Sequence, residues 1–248
     1  MPAKLFAGTK TEFRLRVWFF ALLFCLSYLC YAFDKDNSAQ TVANWLAEKF
    51  PQFTDVIWVR IIFGAAAALM FFASLIRTWG TSYLHASVMH DSKLHTERLV
   101  ADGPFRHVRN PLYFGNILLG FGMGATMSRT GFFVLVIGMY IFDYRLIFRE
   151  ESELEESQGE SYREYCAAVP RLLPSLIARV PSAGNVPNWL DGFLGELMFW
   201  GLTTSVVVLA VTLRALPFES VLWISFMLPW LVQILRRKSA ALAPTPPK

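Results

Sequence analysis

Charge is scarce in this chain: only 17% of its 248 residues are charged, while 54% are hydrophobic. A soluble domain carries about a quarter charged residues, so an ordinary water-soluble fold is excluded. Cysteine is scarcer still. Cys25 and Cys30 lie five apart on one apolar stretch and Cys166 stands alone, which gives no disulfide framework and reads as three reduced, inert thiols. Histidine offers no metal site either. His85, His90 and His95 recur every five residues and so do not share a helix face, and no cysteine or carboxylate stands at ligand spacing beside them. A soluble nucleotide-binding domain is missing as well. Gly120-Phe121-Gly122-Met123-Gly124 imitates a dinucleotide fingerprint but lies inside an apolar run with no strand before it. Gly120 and Gly124 fit a close helix–helix contact instead.

What is present is a series of long apolar runs. Val17–Phe33, Pro111–Ser128 and Val221–Leu235 carry no charge, Val56–Ile76 contains only Arg60, and Phe193–Leu213 contains only Glu196. Gly131–Phe142 is apolar and continues into a polar stretch with Asp143 and Arg145. A spanning helix needs roughly 17–25 mostly apolar residues, so the expected fold is all-α: a polytopic transmembrane helical bundle of about six spans with no Rossmann domain. The fourth and sixth runs have the most ragged ends. No cleavable leader is expected, because Val17–Phe33 is longer than a signal-peptide core and no small-residue cleavage site follows it.

With six spans both termini fall on one side, and that side collects 17 Lys and Arg residues against 4 on the other. The positive-inside bias therefore predicts cytoplasmic termini and two cytoplasmic polar segments in a multi-pass protein of a cell (inner) membrane. The net charge of +4 reflects this bias and some affinity for anionic lipid; no nucleic-acid partner is expected. Spans three and four form a tight hairpin around Ser128-Arg129-Thr130, and the last two form another around Arg214–Glu219. The chain divides into a core of four spans over residues 1–192, with polar segments at 77–115 and 145–174, an additional two-span hairpin over 193–238 and a disordered tail over 239–248.

Two constellations flank the first hairpin. In Leu99–Asn116 a Gly103-Pro104 turn leads through Arg106 and Arg109 to Asn110-Pro111. There Asn110 is a favourable N-cap and Pro111 suits the first helical position. A helix N-terminus beside two arginines suits a carboxylate or phosphate; equally, the arginines can anchor to headgroups while Asn110 simply caps. The second constellation packs seven of the 19 acidic residues between Glu150 and Glu164. A solvated helix rich in acids near its start explains it in part. Glu150 and Glu151, however, stand where the fourth span leaves the bilayer, and carboxylates at a membrane edge are functional candidates.

Leu99–Gly115 resembles the Gly-Pro-Tyr-x-x-x-Arg-His-Pro-x-Tyr-x-Gly signature of the isoprenylcysteine carboxyl methyltransferases and the related phospholipid N-methyltransferases. Glu150–Pro174 resembles their second signature, Glu-Glu-x-x-Leu followed by Phe-Gly-x-x-Tyr-x-x-Tyr and Val-Pro-Arg. The resemblance covers about Arg77–Pro174. It implies a helical membrane bundle that holds S-adenosyl-L-methionine at Leu99, Val100, Gly103, Phe105, Arg106, Arg109, Asn110, Pro111, Leu112, Tyr113 and Glu150. Three positions depart from the pattern: Asn110 stands for the usual His, Phe105 for the common Tyr, and Leu146 for an Arg associated with the acceptor carboxylate of isoprenylcysteine enzymes. Arg145 and Arg149, its neighbours, are the substitutes for that role.

The function so implied is methyl transfer to a lipophilic or amphipathic acceptor, by isoprenylcysteine-type O-methylation or phospholipid-type N-methylation. Sulfonium methyl transfer asks the protein chiefly to position donor and acceptor. An amine acceptor must also lose a proton, for which Glu151 is the candidate. The alternative is a non-enzymatic membrane protein, a small transporter or an assembly factor. That class needs inward polar residues at mid-bilayer, of which the sequence shows mainly Thr203, Thr204 and Ser205.

Overall fold

The computed structural model describes residues 6–89 and 101–242, with side chains placed over 6–84 and 101–236. Every regular element among them is helical. They are α1 (Lys10–Arg14), α2 (Arg16–Leu29), α3 (Ser38–Lys49), α4 (Asp55–Met89), α5 (Pro111–Gly124), α6 (Arg129–Gln158), α7 (Glu160–Ala168), α8 (Trp189–Gly195), α9 (Leu197–Thr212) and α10 (Ala215–Leu242).

All six apolar runs are helical, and the chain passes between two ends of the bundle along each of them. Three helices (α4, α6 and α10) are long and apolar enough to cross a membrane, and α8 with α9 makes a fourth if that pair, bent by 61°, counts as one span. The remaining two are shorter than six full spans require. Helix α2 with its following 3-10 turn covers Arg16–Ala32. Helix α5 has 14 residues, or about 21 Å at ~1.5 Å per residue, against a hydrocarbon core of roughly 30 Å. Pro111 opens α5 and Gly124 ends it, so its length is set by its own termini. In the fourth run the helix does not stop at Phe142; α6 carries Asp143 and Arg145 inward and continues to Gln158. At the chain's end α10 runs to Leu242, into the region expected to be tail; the rest of that tail lies outside the described residues.

The far end of the bundle is knotted by polar contacts. The Ser38 amide donates to Met127 O at 2.9 Å, and the Arg129 amide to Asp36 O at 3.0 Å. The Asp34 carboxylate takes the Thr130 amide at 2.7 Å, the Thr130 hydroxyl and the Arg129 guanidinium. These bonds, led by the one from the Thr130 amide, outweigh burial and hold the Asp34 pKa down to about 2. Arg60, the one charge in its apolar run, donates to Ala210 O and Val211 O, carbonyls of the last turn of α9.

Glycines bring the central helices together. A Cβ on Gly120 would meet Met139 of α6, one on Gly124 the Phe132 ring, and one on Gly122 the Met70 side chain of α4. The glycine run is therefore helix-packing surface, as its placement within an apolar stretch implies. The core around it combines Ala66, Met70 and Ala73 of α4, Leu119 and Met123 of α5, Leu135 and Met139 of α6, and Leu202 and Val206 of α9.

Candidate functional site

At the near end the two sequence constellations meet. Residues 101–110 run beside 170–185, joined by Arg109 N to Pro170 O at 2.9 Å, Ser175 N to His107 O at 2.9 Å, and Arg179 N to Arg106 O at 2.8 Å. Side chains add to this seam. The Arg106 Nε donates to Val180 O at 2.9 Å, and the buried Tyr165 of α7 donates its hydroxyl to Phe105 O at 2.7 Å. Gly103 begins the turn at φ +54°, where a Cβ would run into the Tyr83 ring, so glycine is required there on both counts. Asp102, just before it, is 1% exposed. Its carboxylate takes the Ser182 hydroxyl, the Ala183 and Asn185 amides and the Asn185 side chain at 2.5–3.0 Å. Burial raises its pKa, and these bonds overcome that and leave it below the usual carboxylate value.

Asn110 occupies the N-cap position of α5, but its side chain makes no capping bond. This corrects the sequence expectation. Its Nδ2 instead donates to Glu151 Oε1 at 3.0 Å and to Arg171 O at 3.0 Å. Donation of Nδ2 to a carboxylate brought in from α6 is charge-assisted and fixes the side chain in a rotamer whose oxygen makes no bond to the first-turn amides of α5. The buried Glu151 is clamped on both oxygens: Oε1 also lies 3.5 Å from Arg109 Nε, and Oε2 accepts from Arg171 Nε at 2.9 Å. The Arg109 Nε is buried and has no hydrogen-bond partner among the described residues.

Deeper along the same α5–α6 seam, the Tyr113 hydroxyl donates to Glu150 Oε1 at 2.8 Å, and Asn116 Nδ2 donates to Asp143 Oδ1 at 3.0 Å. Asn110, Tyr113 and Asn116 thus form a ladder of donors on α5, and Glu151, Glu150 and Asp143 the acceptors on α6. Above the deepest rung sits Arg77 of α4, whose guanidinium reaches Leu112 O at 2.9 Å, Asn116 Oδ1 at 2.8 Å and Glu196 at 2.7 and 3.1 Å. The sequence reading did not find Arg77, Asn116, Asp143 or Glu196. Their signal was there: Asn116 and Glu196 lie inside apolar runs, and Arg77 and Asp143 stand directly after the ends of two others. The shortage of inward polar residues inferred from the sequence is likewise corrected. Asn116, Asp143 and Glu196 are buried beside Thr203 and Ser205, while Thr204 is exposed and bonds a carbonyl of its own helix.

Of the other expected site residues, Gly103, Phe105, Arg106, Pro111, Leu112 and Tyr113 all lie at this mouth, and Leu99 and Val100 lie outside the described residues. Arg145 and Arg149 turn instead toward the N-terminal segment. Arg145 grips the Glu12 carboxylate at 2.9 and 3.0 Å, while Arg149 pairs with Glu153 and donates to Gly8 O at 3.2 Å.

Comparison with known proteins is consistent with this geometry. The family model described as phospholipid methyltransferase matches residues 59–161, a stretch that holds the first motif, the α5–α6 hairpin and the Glu150-Glu151 pair. No curated protein and no solved structure matches the chain. The match bears out the resemblance to the phospholipid methyltransferases over residues 59–161, which hold the first motif and the start of the second.

Proposed function

We propose that the protein is an integral membrane methyltransferase that takes its methyl group from S-adenosyl-L-methionine and passes it to a lipid or lipophilic acceptor at the near, cytoplasmic end of the bundle. The observation that carries this reading is the convergence of uncapped α5 amides, Arg109, Tyr113 and Glu150 within the family-matched stretch. The first amides of a helix have no intrahelical partner, and at α5 the residue that would have capped them bonds Glu151 instead. Those amides, beside the Arg109 guanidinium that Glu151 holds in place, fit the donor's carboxylate, and Glu150 fits its ammonium or ribose hydroxyls.

Once bound, the donor supplies an electrophilic methyl on a sulfonium. What the protein contributes is placement, and the ladder provides it. Glu151, the sequence candidate for taking a proton from an amine, has both oxygens engaged and keeps Arg109 and Arg171 in place. The alternative of a transporter is disfavoured by how the buried polar residues bond to one another across helix seams.

Calorimetric titration of the detergent-purified protein with S-adenosyl-L-methionine tests the donor. Radiolabelled methyl transfer to membrane lipid extract, run in parallel with a farnesylcysteine analogue, tests the acceptor. Saturable donor binding and labelling of lipid are expected. An absence of binding would refute the enzyme reading, and labelling of the farnesylcysteine analogue alone would reassign the acceptor class.

A further inference from the structure

The family match ends at residue 161, yet one face of α4 is completed only by residues beyond it. Ser74, Arg77, Thr78, Thr81 and Ser82 follow the spacing of one helix face, and each meets α8, α9 or the residue before them. The Ser74 and Thr203 hydroxyls lie 3.0 Å apart, and Trp200 Nε1 donates to Thr78 Oγ1 at 3.0 Å. Thr81 donates to Glu196 Oε1 at 2.6 Å, and the Asn188 amide to Ser82 O at 2.9 Å. Gly192 packs so closely on Ser82 that a Cβ would come within 2.8 Å. At the centre is Arg77, held by both Glu196 oxygens and resting 3.7 Å over the Phe199 ring.

Arg77 also hydrogen-bonds to α5. Its NH1 is shared between Leu112 O, in the first turn, and Asn116 Oδ1, whose amide nitrogen in turn holds Asp143. A guanidinium has a rigid fork of donors, so fixing one edge on Glu196 aims the other at α5. Glu196 can do this because it stands at the 61° break between α8 and α9, where the chain turns its carboxylate in toward α4. It is 3% exposed.

We propose that Glu196 is a positioning residue that acts through Arg77 to fix the first turns of α5, so that the segment Trp189–Thr212 is an obligate part of the methyl-transfer site rather than an appendage to it. The inference rests on the reading of that site given above. Without this segment Arg77 would lose its carboxylate, Thr81 its acceptor and Thr78 the Trp200 donor, and a guanidinium with no counter-charge is costly within a membrane.

The test compares two full-length variants with the natural protein. In R77M/E196L the ion pair is replaced by apolar side chains of similar volume, a change that buried pairs commonly survive; Thr81 can then bond a carbonyl of its own helix. In R77K a positive charge stays beside Glu196, but a compact ammonium lacks the fork that holds Glu196 on one edge and Leu112 O with Asn116 on the other. Cooperative thermal unfolding establishes that each variant is folded. Hydrogen exchange at the amides of residues 112–118 is then measured without ligand, and donor affinity by calorimetry. Both variants are expected to exchange at least about fivefold faster over this stretch and to bind S-adenosyl-L-methionine roughly tenfold more weakly. Natural exchange rates in either folded variant would overturn the proposal. If the natural protein binds no donor the enzyme reading fails, and exchange still decides whether Glu196 positions α5.

Discussion

Asn116 donates its side-chain amide to one oxygen of Asp143 at 3.0 Å, and the other oxygen of that fully buried carboxyl group has no hydrogen-bond partner among the described residues. An unpaired acceptor away from water is a standing cost, and so is an orphaned donor. D143N keeps an oxygen for Asn116 and removes an ionisable group from the interior, so its thermal midpoint is expected to equal or exceed that of the natural protein. D143A leaves the Asn116 amide without this acceptor and opens a void, for a loss of about 1–3 kcal/mol. A large destabilisation by D143N would show that the negative charge itself holds the seam.

At the mouth, Glu150→Ala removes a carboxylate proposed to touch the donor, and Arg109→Ala a guanidinium. Charge-assisted bonds of ~1.5–3 kcal/mol are at stake, so each is expected to weaken S-adenosyl-L-methionine binding roughly tenfold or more. Neither should unfold the bundle, because Glu151 retains Asn110 and Arg171 when Arg109 is lost. Unchanged affinity in both would remove these side chains from the donor site. Y113F deletes only the bond to Glu150, and a smaller drop, within about tenfold, is expected from a single hydrogen bond.

Asp102 makes the near-end loops sensitive to acid. Its pKa is depressed in the folded protein from an unfolded value of about 3.9. The stabilisation is therefore fully present above that unfolded value and is lost as pH falls through the lower folded one. Limited proteolysis over 180–186 is expected to stay slow from pH 7 down to about 4 and to accelerate below it. D102N should cleave readily at pH 7 and lose the acid dependence. If D102N matches the natural protein at every pH, the four bonds do not hold the loop. Asp34, with its pKa near 2, should keep the far-end knot intact into stronger acid.

The two ends also fix a topology experiment. Asp36 and Arg129 share the far-end cluster, with side chains 2.8 Å apart, whereas Gly184 belongs to the loops of the near end. Reporter fusions at Asp36 and Arg129 should score external and a fusion at Gly184 internal. Opposite scores for Asp36 and Arg129 would contradict the packing of α3 against the α5–α6 turn.

Composition and run length were enough to read the helical class, the α5–α6 hairpin and the start of α5 at Pro111, because these depend on local residues. The fate of the Asn110 side chain was not legible. It hinged on a carboxylate 41 residues away that takes Nδ2 and sets the side-chain rotamer, which only the rotation of α6 decides. Similarly, Asp143 and Glu150 are seven apart and Tyr113 and Asn116 three apart, so each pair shares a helix face, but nothing local says that the two faces meet. Arg145 and Arg149 looked free beside the motif because the strap that engages them, Gly8–Glu12, lies more than a hundred residues earlier.

The separation of Arg77 and Glu196, 119 residues, has a consequence for biogenesis. At ~5–20 residues per second, on the order of ten seconds pass between the synthesis of the arginine and that of its partner. Throughout that interval the α4 guanidinium lacks its carboxylate, and Thr78 and Thr81 lack Trp200 and Glu196, so this face is costly to expose to lipid. The insertion machinery must hold it in a polar setting, or let it sit shallow in the headgroups, until the bent α8–α9 pair arrives. In a chain arrested shortly before Glu196, a cysteine placed on the Arg77 face of α4 should therefore react with a water-soluble thiol reagent, and synthesis past Trp200 should protect it.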